Sequence, residues 1–307
     1  MTSLSIRTAA LTLLGAWMCV SCSSTSGTNE TDAGTDSGME PDASQPDPKC
    51  NGHEELCDRG FDEVAYPMTH NAMSNDEVEP PWILPNQNFG ITRQLNDGIR
   101  GLMLDTYEED GELLLCHQFC IAGSQPLLEG LGEITTFLEA NPDEVIPIIL
   151  ESYITHAQTA EAFDDSGLLD FVYAHEVGKP WPTLGELIEA NTRLVVFQGE
   201  SQEAEFPWLM YFDDHAWETP FSFSTPDDFV CDPNRGDPAN PLFLLNHFLT
   251  ATLGGRPEFA EMVNYNPLLI DRARQCEQEG EALPNFVAVD FYNIGDLFEV
   301  VDALNGL

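Results

Sequence analysis

Tyr66-Pro-Met-Thr-His-Asn71, Leu102-Met-Leu-Asp-Thr-Tyr107 and Leu113-Leu-Leu-Cys-His117 decide the reading of this chain. Each joins an apolar run to side chains able to carry a proton or ligate a cation. In a barrel of alternating strands and helices, the carboxyl ends of different strands converge on one cleft, so polar residues scattered in sequence form a single site. Two histidines and several oxygen donors beside strand ends are therefore candidates for one acid–base centre.

Outward from these runs the pattern keeps alternating. Residues 61–66 read as a short strand ending in the Thr69-His70-Asn71 turn, and 91–96 as a helical turn closed by Gly98. Strands are expected at 99–104 and 112–116. Leu127, Leu131, Ile134 and Leu138 fall at helical spacing, with Pro126 near the start and Asn141-Pro142 at the end. The continuously apolar run 145–150 has the look of a buried parallel strand. Helices are expected at 168–175, 184–190 and 295–304, and strands at 193–197 and 286–291. The stretch 202–240, rich in Pro, Asp and aromatics, reads as long loops.

No internal repeat or second linker interrupts residues 50–307, close to the about 250 residues typical of an eight-stranded barrel. The expected fold class is therefore α/β, a single-domain (β/α)8 TIM-type barrel. Ahead of it, Arg7 and the apolar residues 9–20 are too short to span a bilayer and read as a signal peptide. Val20-Ser21-Cys22 resembles the end of a bacterial lipoprotein signal, with Cys19 where Leu usually stands. The expectation is a signal over 1–22 and a lipid anchor at Cys22 in the cell envelope, ordinary cleavage and free secretion being the alternative. Residues 23–49, mostly Ser, Thr, Gly, Asp, Glu and Pro, are too poor in apolar surface to fold and read as a tether.

Six cysteines follow the signal. An even number in an exported chain points to disulfides, although about fifteen full pairings are possible. The simplest set is local: Cys50 with Cys57, Cys116 with Cys120, and Cys231 with Cys276 across a longer loop. The cysteine spacings do not match a zinc ribbon or finger.

Charge narrows the partners. With 53 acidic against 11 basic residues the formal charge is −42, which repels nucleic acid and anionic bilayers.

Together, His70-Asn71, the run from Gln94 to Asp105, Leu115-Cys-His117, the run from Val145 to Glu151, and Phe286-Val-Ala-Val-Asp290 resemble the catalytic X-domain of phosphatidylinositol-specific phospholipase C, in particular its small exported PLC-like phosphodiesterases. The resemblance implies that His70 takes a proton from a substrate hydroxyl next to the phosphate, giving a cyclic phosphodiester, and that His117 protonates the leaving alcohol. Imidazole, with an ordinary pKa of about 6.5, suits both tasks. It implies that Asp290 orients His70, the competing role being a cap on the closing helix. His53, His156, His175, His215 and His247 lack such context and read as structural.

The resemblance further implies a calcium or magnesium site at Asn71, Asp105 and Glu151, hard oxygen donors suited to either ion. One acidic position of that site is Met103 here. Metal-free bacterial members carry an arginine where this chain has Tyr107, so a divalent cation is the expected source of positive charge, although metal-free action stays open. Arg100 is expected to pair inside the sheet, and Lys179, Arg93 and Arg235 are possible phosphate contacts. The partner implied is a phospholipid or other phosphodiester, acted on by a monomer. The alternatives are a glycerophosphodiesterase or sphingomyelinase D relative, which Met103 disfavours by breaking the expected Glu-x-Asp pair, and a non-catalytic surface protein.

Overall fold

The computed structural model describes residues 49–78, 81–250 and 254–307. The signal expected over 1–22, the anchor at Cys22 and the tether over 23–49 lie outside these residues, apart from Lys49.

Strands and helices alternate from β1 (Tyr66–Thr69) through α1 (Ile91–Asn96) to β2 (Gly101–Glu109), whose chain reverses into β3 (Glu112–Leu115) and β4 (Gln125–Pro126). Then come α2 (Leu127–Ala140), β5 (Ile146–Ser152), α3 (His156–Asp165), α4 (Leu184–Glu189) and β6 (Leu194–Gln198). Two three-residue strands follow, β7 (Leu209–Tyr211) and β8 (Ala216–Glu218), linked by the single turn α5 (Phe212–His215). β9 (Arg235–Gly236), β10 (Leu242–Asn246), α6 (Pro257–Val263), α7 (Leu268–Gly280), β11 (Phe286–Val289) and α8 (Leu297–Asn305) complete the chain.

The sheet order is β7-β6-β5-β2-β1-β11-β10-β8-β9. Every pairing from β7 round to β8 is parallel, while β3, β4 and β9 pair antiparallel. The α/β fold expected from the sequence is present, its largely parallel sheet curled as a half-barrel. Among the described residues no ladder joins β7 to β8, so the sheet is curled and stays open along that seam. Strands of three residues leave little backbone for a ladder, and the chain crosses the seam in one turn.

Side chains of a strand alternate between faces, and the core divides accordingly. Tyr66, Met68, Val195, Phe197, Leu242, Leu244, Phe286 and Ala288 pack together on the concave side. Their neighbours Val196, Phe243, Leu245, Val287 and Val289 pack outward with Leu131, Ile134 and Leu138 of α2. Burying each such side chain stabilises the fold by roughly 1.5–3 kcal/mol. One further inward step along several strands reaches the site: Met68 is followed by His70, Met103 by Asp105, Ile149 by Glu151, Ala216 by Glu218 and Ala288 by Asp290.

Several local expectations need revision. Residues 61–63 form a 3-10 turn, and the first strand begins only at Tyr66. The strand expected at 112–116 belongs to a hairpin rather than to the parallel series. Of the helix expected at 168–175 only the 3-10 turn Leu168–Phe171 forms. The loops expected over 202–240 contain β7, α5, β8 and β9. All three expected disulfides are present.

Candidate active site

His70 follows the last residue of β1, and its backbone is fixed by the buried Gln87, whose amide donates to the carbonyls of His70 at 2.8 Å and Val289 at 3.1 Å. The imidazole stacks on Phe248, with ring centres 3.9 Å apart and planes 3° from parallel. Its Nδ1 lies 2.8 Å from Asp290 Oδ1. An ionised carboxylate can only accept, so this contact puts the proton on Nδ1 and leaves Nε2 as the basic nitrogen. Asn86 donates to the same oxygen of Asp290 at 3.0 Å. Asp290 thus contacts His70, while the N-cap position of the closing helix is Asp296, whose side chain makes no capping hydrogen bond.

His117 is held differently. It lies beyond β3 in a loop closed by the Cys116–Cys120 disulfide. Its Nδ1 meets Asp105 Oδ2 at 2.8 Å, a bond that raises the imidazole above its ordinary pKa against the opposing effect of burial. Burial pushes the Asp105 carboxyl upward as well, opposed by the bond from His117.

Two cavities meet at His70 and Glu151. The outer one, about 270 Å³, is lined by both histidines, Asp290, Tyr153, Phe221 and Phe248. The inner one, about 90 Å³, is lined by Asn71, Met103, Asp105, Asp213, Glu218 and Arg235 among others. All six residues expected from the sequence (His70, Asn71, Asp105, His117, Glu151 and Asp290) therefore line one or both of two cavities that share His70 and Glu151.

Asn71, Asp105 and Glu151 each keep one oxygen free of hydrogen bonds among the described residues. Asn71 donates its amide to Asn86 at 3.3 Å, Asp105 uses Oδ2 for His117, and Glu151 uses Oε1 for the Tyr153 hydroxyl. Asp105 and Glu151 are direct partners across β2 and β5. Two carboxylates and an amide suit a hard cation that completes its shell with water and substrate. Among the described residues no group of three or more His, Cys, Asp and Glu is arranged to hold a metal, which agrees with Met103 occupying the inward position before Asp105. Tyr107 stacks on Tyr153, ring centres 4.4 Å apart.

Of the basic residues considered, Arg235 lines the inner cavity, its guanidinium held by the buried Glu218. Arg93 pairs with Glu77 and Asp97, and Lys179 with Glu176. Arg100 meets Glu144 at 2.6 Å, the structural role expected of it.

A profile of the PI-PLC X 1 family matches residues 56–305. The chain belongs to the PI-PLC X family. Its relatives in that family include a PI-PLC X domain-containing protein of Arabidopsis thaliana, 31% identical, with 80% of this chain covering 62% of that protein. PI-PLC X domain-containing protein 1 of Arthroderma benhamiae is 30% identical, with 84% of this chain covering 90% of it. An uncharacterized secreted protein of the same fungus is 30% identical, with 89% of this chain covering 67% of it. The phosphatidylinositol-specific phospholipase C of Staphylococcus aureus superposes with a TM-score of 0.53 at 14% identity, over 84% of this chain and 95% of that one, a likeness of fold.

Sequence reasoning missed the second carboxylate–imidazole pair, because Asp105 reads as a cation ligand while its contact with His117 depends on the hairpin register. It also missed Asn86 and Gln87, which lie in a polar loop without periodicity, and Glu218, on a strand too short to show a pattern.

Proposed function

We propose that this chain is an exported phosphodiesterase that cleaves phosphatidylinositol or a related lipid headgroup diester, acting as a monomer. The observation that carries the reading is a pair of imidazoles on one cleft, each tied through Nδ1 to a carboxylate at 2.8 Å. His70 Nε2 removes the proton from a substrate hydroxyl adjacent to the phosphate, and that oxygen attacks phosphorus. As the new P–O bond forms, the bond to the leaving alcohol breaks and His117 Nε2 gives that oxygen a proton. The soluble product is a cyclic phosphodiester. Asp290 stabilises the imidazolium formed on His70, and Asp105 keeps His117 protonated until the leaving group departs.

Positive charge must offset the phosphate. Asn71, Asp105 and Glu151 would hold a divalent cation, calcium foremost and magnesium second, which supplies that charge when bound. Arg235 adds a permanent cation on the wall of the inner cavity. Export rests on the signal read in residues 1–22 and accords with the secreted name of one fungal relative. The lipid anchor at Cys22 remains part of the proposal, although the relatives named above are fungal and plant proteins.

The test is incubation with phosphatidylinositol vesicles, with calcium or with chelator, the released phosphate being followed by phosphorus NMR. Cyclic inositol phosphate is expected, diminished by the chelator. Release of a free phosphomonoester as first product, or no release from any inositol lipid, would overturn the reading.

A further inference from the structure

Arg272 lies on α7, is not among the residues lining either cavity, and is only 5% exposed. Arg93, Arg100, Arg235 and Arg274 meet carboxylates, but among the described residues no carboxylate pairs with Arg272. In a chain with 53 acidic residues that isolation is informative, because burying a guanidinium without a counter-charge is costly. Burial lowers its pKa to about 9, which leaves it charged at neutral pH.

Its hydrogen bonds show what it holds instead. Nη1 donates to the Asn246 carbonyl at 2.8 Å and to His247 Nδ1 at 3.1 Å, and Nη2 donates to the Val230 carbonyl at 3.3 Å. An accepting Nδ1 places the His247 proton on Nε2, which donates to the Val263 carbonyl at 2.9 Å. The His247 amide reaches the Ala288 carbonyl at 2.8 Å. The end of β10 is thus pinned from α7, α6 and β11 at once. Phe229 covers the guanidinium with its ring centre 4.0 Å away, and the Cys231–Cys276 disulfide ties that cover to α7 one turn beyond Arg272.

The residue after His247 is Phe248, whose ring lies flat on His70. The bond to Asp290 holds one atom of the His70 imidazole. The flat contact holds its plane, and with it the direction of Nε2. We propose that Arg272 is a positioning residue for the reaction proposed above: it fixes residues 246 and 247 from behind, so that Phe248 keeps the His70 imidazole aimed into the cleft. The inference rests on His70 as the base and concerns a group that acts through Phe248.

Arg193 supplies the comparison. It is 2% exposed, has no carboxylate partner among the described residues, and donates to the carbonyls of Leu138, Asn141 and Glu144. It precedes β6, however, at the end of the sheet opposite the site.

Arg272→Met removes every donor and keeps an apolar stem. It is expected to lower kcat toward phosphatidylinositol by about tenfold through misplacement of His70, with KM unchanged. Phe248→Leu should lose about as much, and the double variant no more than either alone, as expected of two residues acting along one path. Arg193→Met should lower the melting temperature comparably and leave kcat unaltered. In histidine-labelled protein the His70 ring-proton signals, held upfield by the Phe248 face, should move downfield in Arg272→Met and in Phe248→Leu and stay in place in Arg193→Met. Arg272→Lys keeps the charge and one donor group; it should fold where Arg272→Met does not, and displace the His70 signals to a smaller degree. Additive losses in the double variant, His70 signals unmoved by either Arg272 substitution, or an equal fall of kcat in Arg193→Met would overturn the proposal. If the unmodified protein cleaves no inositol lipid, the proposed function fails while the His70 signals still decide the positioning.

Discussion

His70 and His117 meet their carboxylates at the same 2.8 Å, yet they are fixed by different means. His70 extends a strand of the parallel sheet, with Gln87 gripping its carbonyl and Phe248 covering its ring. His117 sits on an appended antiparallel hairpin, held by Asp105 and a four-residue disulfide loop. His70 is thus part of the framework, while His117 hangs from an extension that local bonds must hold in place. Changes at the first should act through the fold and changes at the second through local order.

Removing either imidazole should have the largest effect. His70→Ala and His117→Ala are each expected to lower kcat/KM toward phosphatidylinositol by roughly 10²- to 10⁴-fold, measured as release of cyclic product at neutral pH. A residual rate above a tenth of normal in both would remove acid–base catalysis from the account.

The carboxylates should separate the two sides next. Asp290→Asn is expected to cost on the order of 10²-fold, the usual scale for a group that orients another, at every pH. Asp105→Asn should instead move the pH profile. A general acid works while protonated, so activity falls as pH rises through its pKa. Asp105 raises that pKa, and its loss should bring the basic limb to lower pH. An unmoved limb would mean that His117 is not the acid. The same sign governs stability: this pair stabilises the fold below the ordinary histidine pKa, and the contribution disappears as pH rises through the raised one.

A Cys116→Ser, Cys120→Ser double variant should lose about tenfold in turnover through looser placement of His117. Global melting should change little, since the bridge spans only four residues of sequence.

The smallest effect on turnover at neutral pH is expected from histidines outside the cleft. Burial lowers His215 to about 4 and His247 to about 3, with neighbouring His175 and Arg272 adding to the effect. Both are neutral in the fold, so stability is full above the unfolded value of about 6.5 and is lost as pH falls toward the folded values. Thermal melting at pH 7 and pH 5 should show a fall that His247→Gln reduces.

Much of this was legible in the sequence where chemistry and periodicity coincide. The run Val145-Ile-Pro-Ile-Ile-Leu150 is apolar throughout because both faces of β5 are covered, and its strand was expected within a residue or two of where it lies. The site residues were legible because each follows an apolar strand. β7 and β8 were not, since three residues cannot display a period of two and their surroundings are rich in Pro and Asp. With them went the open seam and the Glu218–Arg235 wall. The aromatics of that stretch are mostly inside: Trp208, Phe212, Trp217 and Phe223 are buried. Asp105 shows the remaining limit, for a carboxylate at a strand end can serve a cation, an imidazole or both, and only the hairpin register brings it to His117.

The central claim is that His70 is the base and His117 the acid, and the most direct measurement replaces the leaving group. The diacylglycerol of phosphatidylinositol would be exchanged for nitrophenol, which departs without a proton, and the two alanine variants compared on both substrates. His117→Ala should recover most of its activity on the nitrophenyl ester while His70→Ala stays inactive. Equal recovery of both, or recovery of His70→Ala alone, would contradict the assignment.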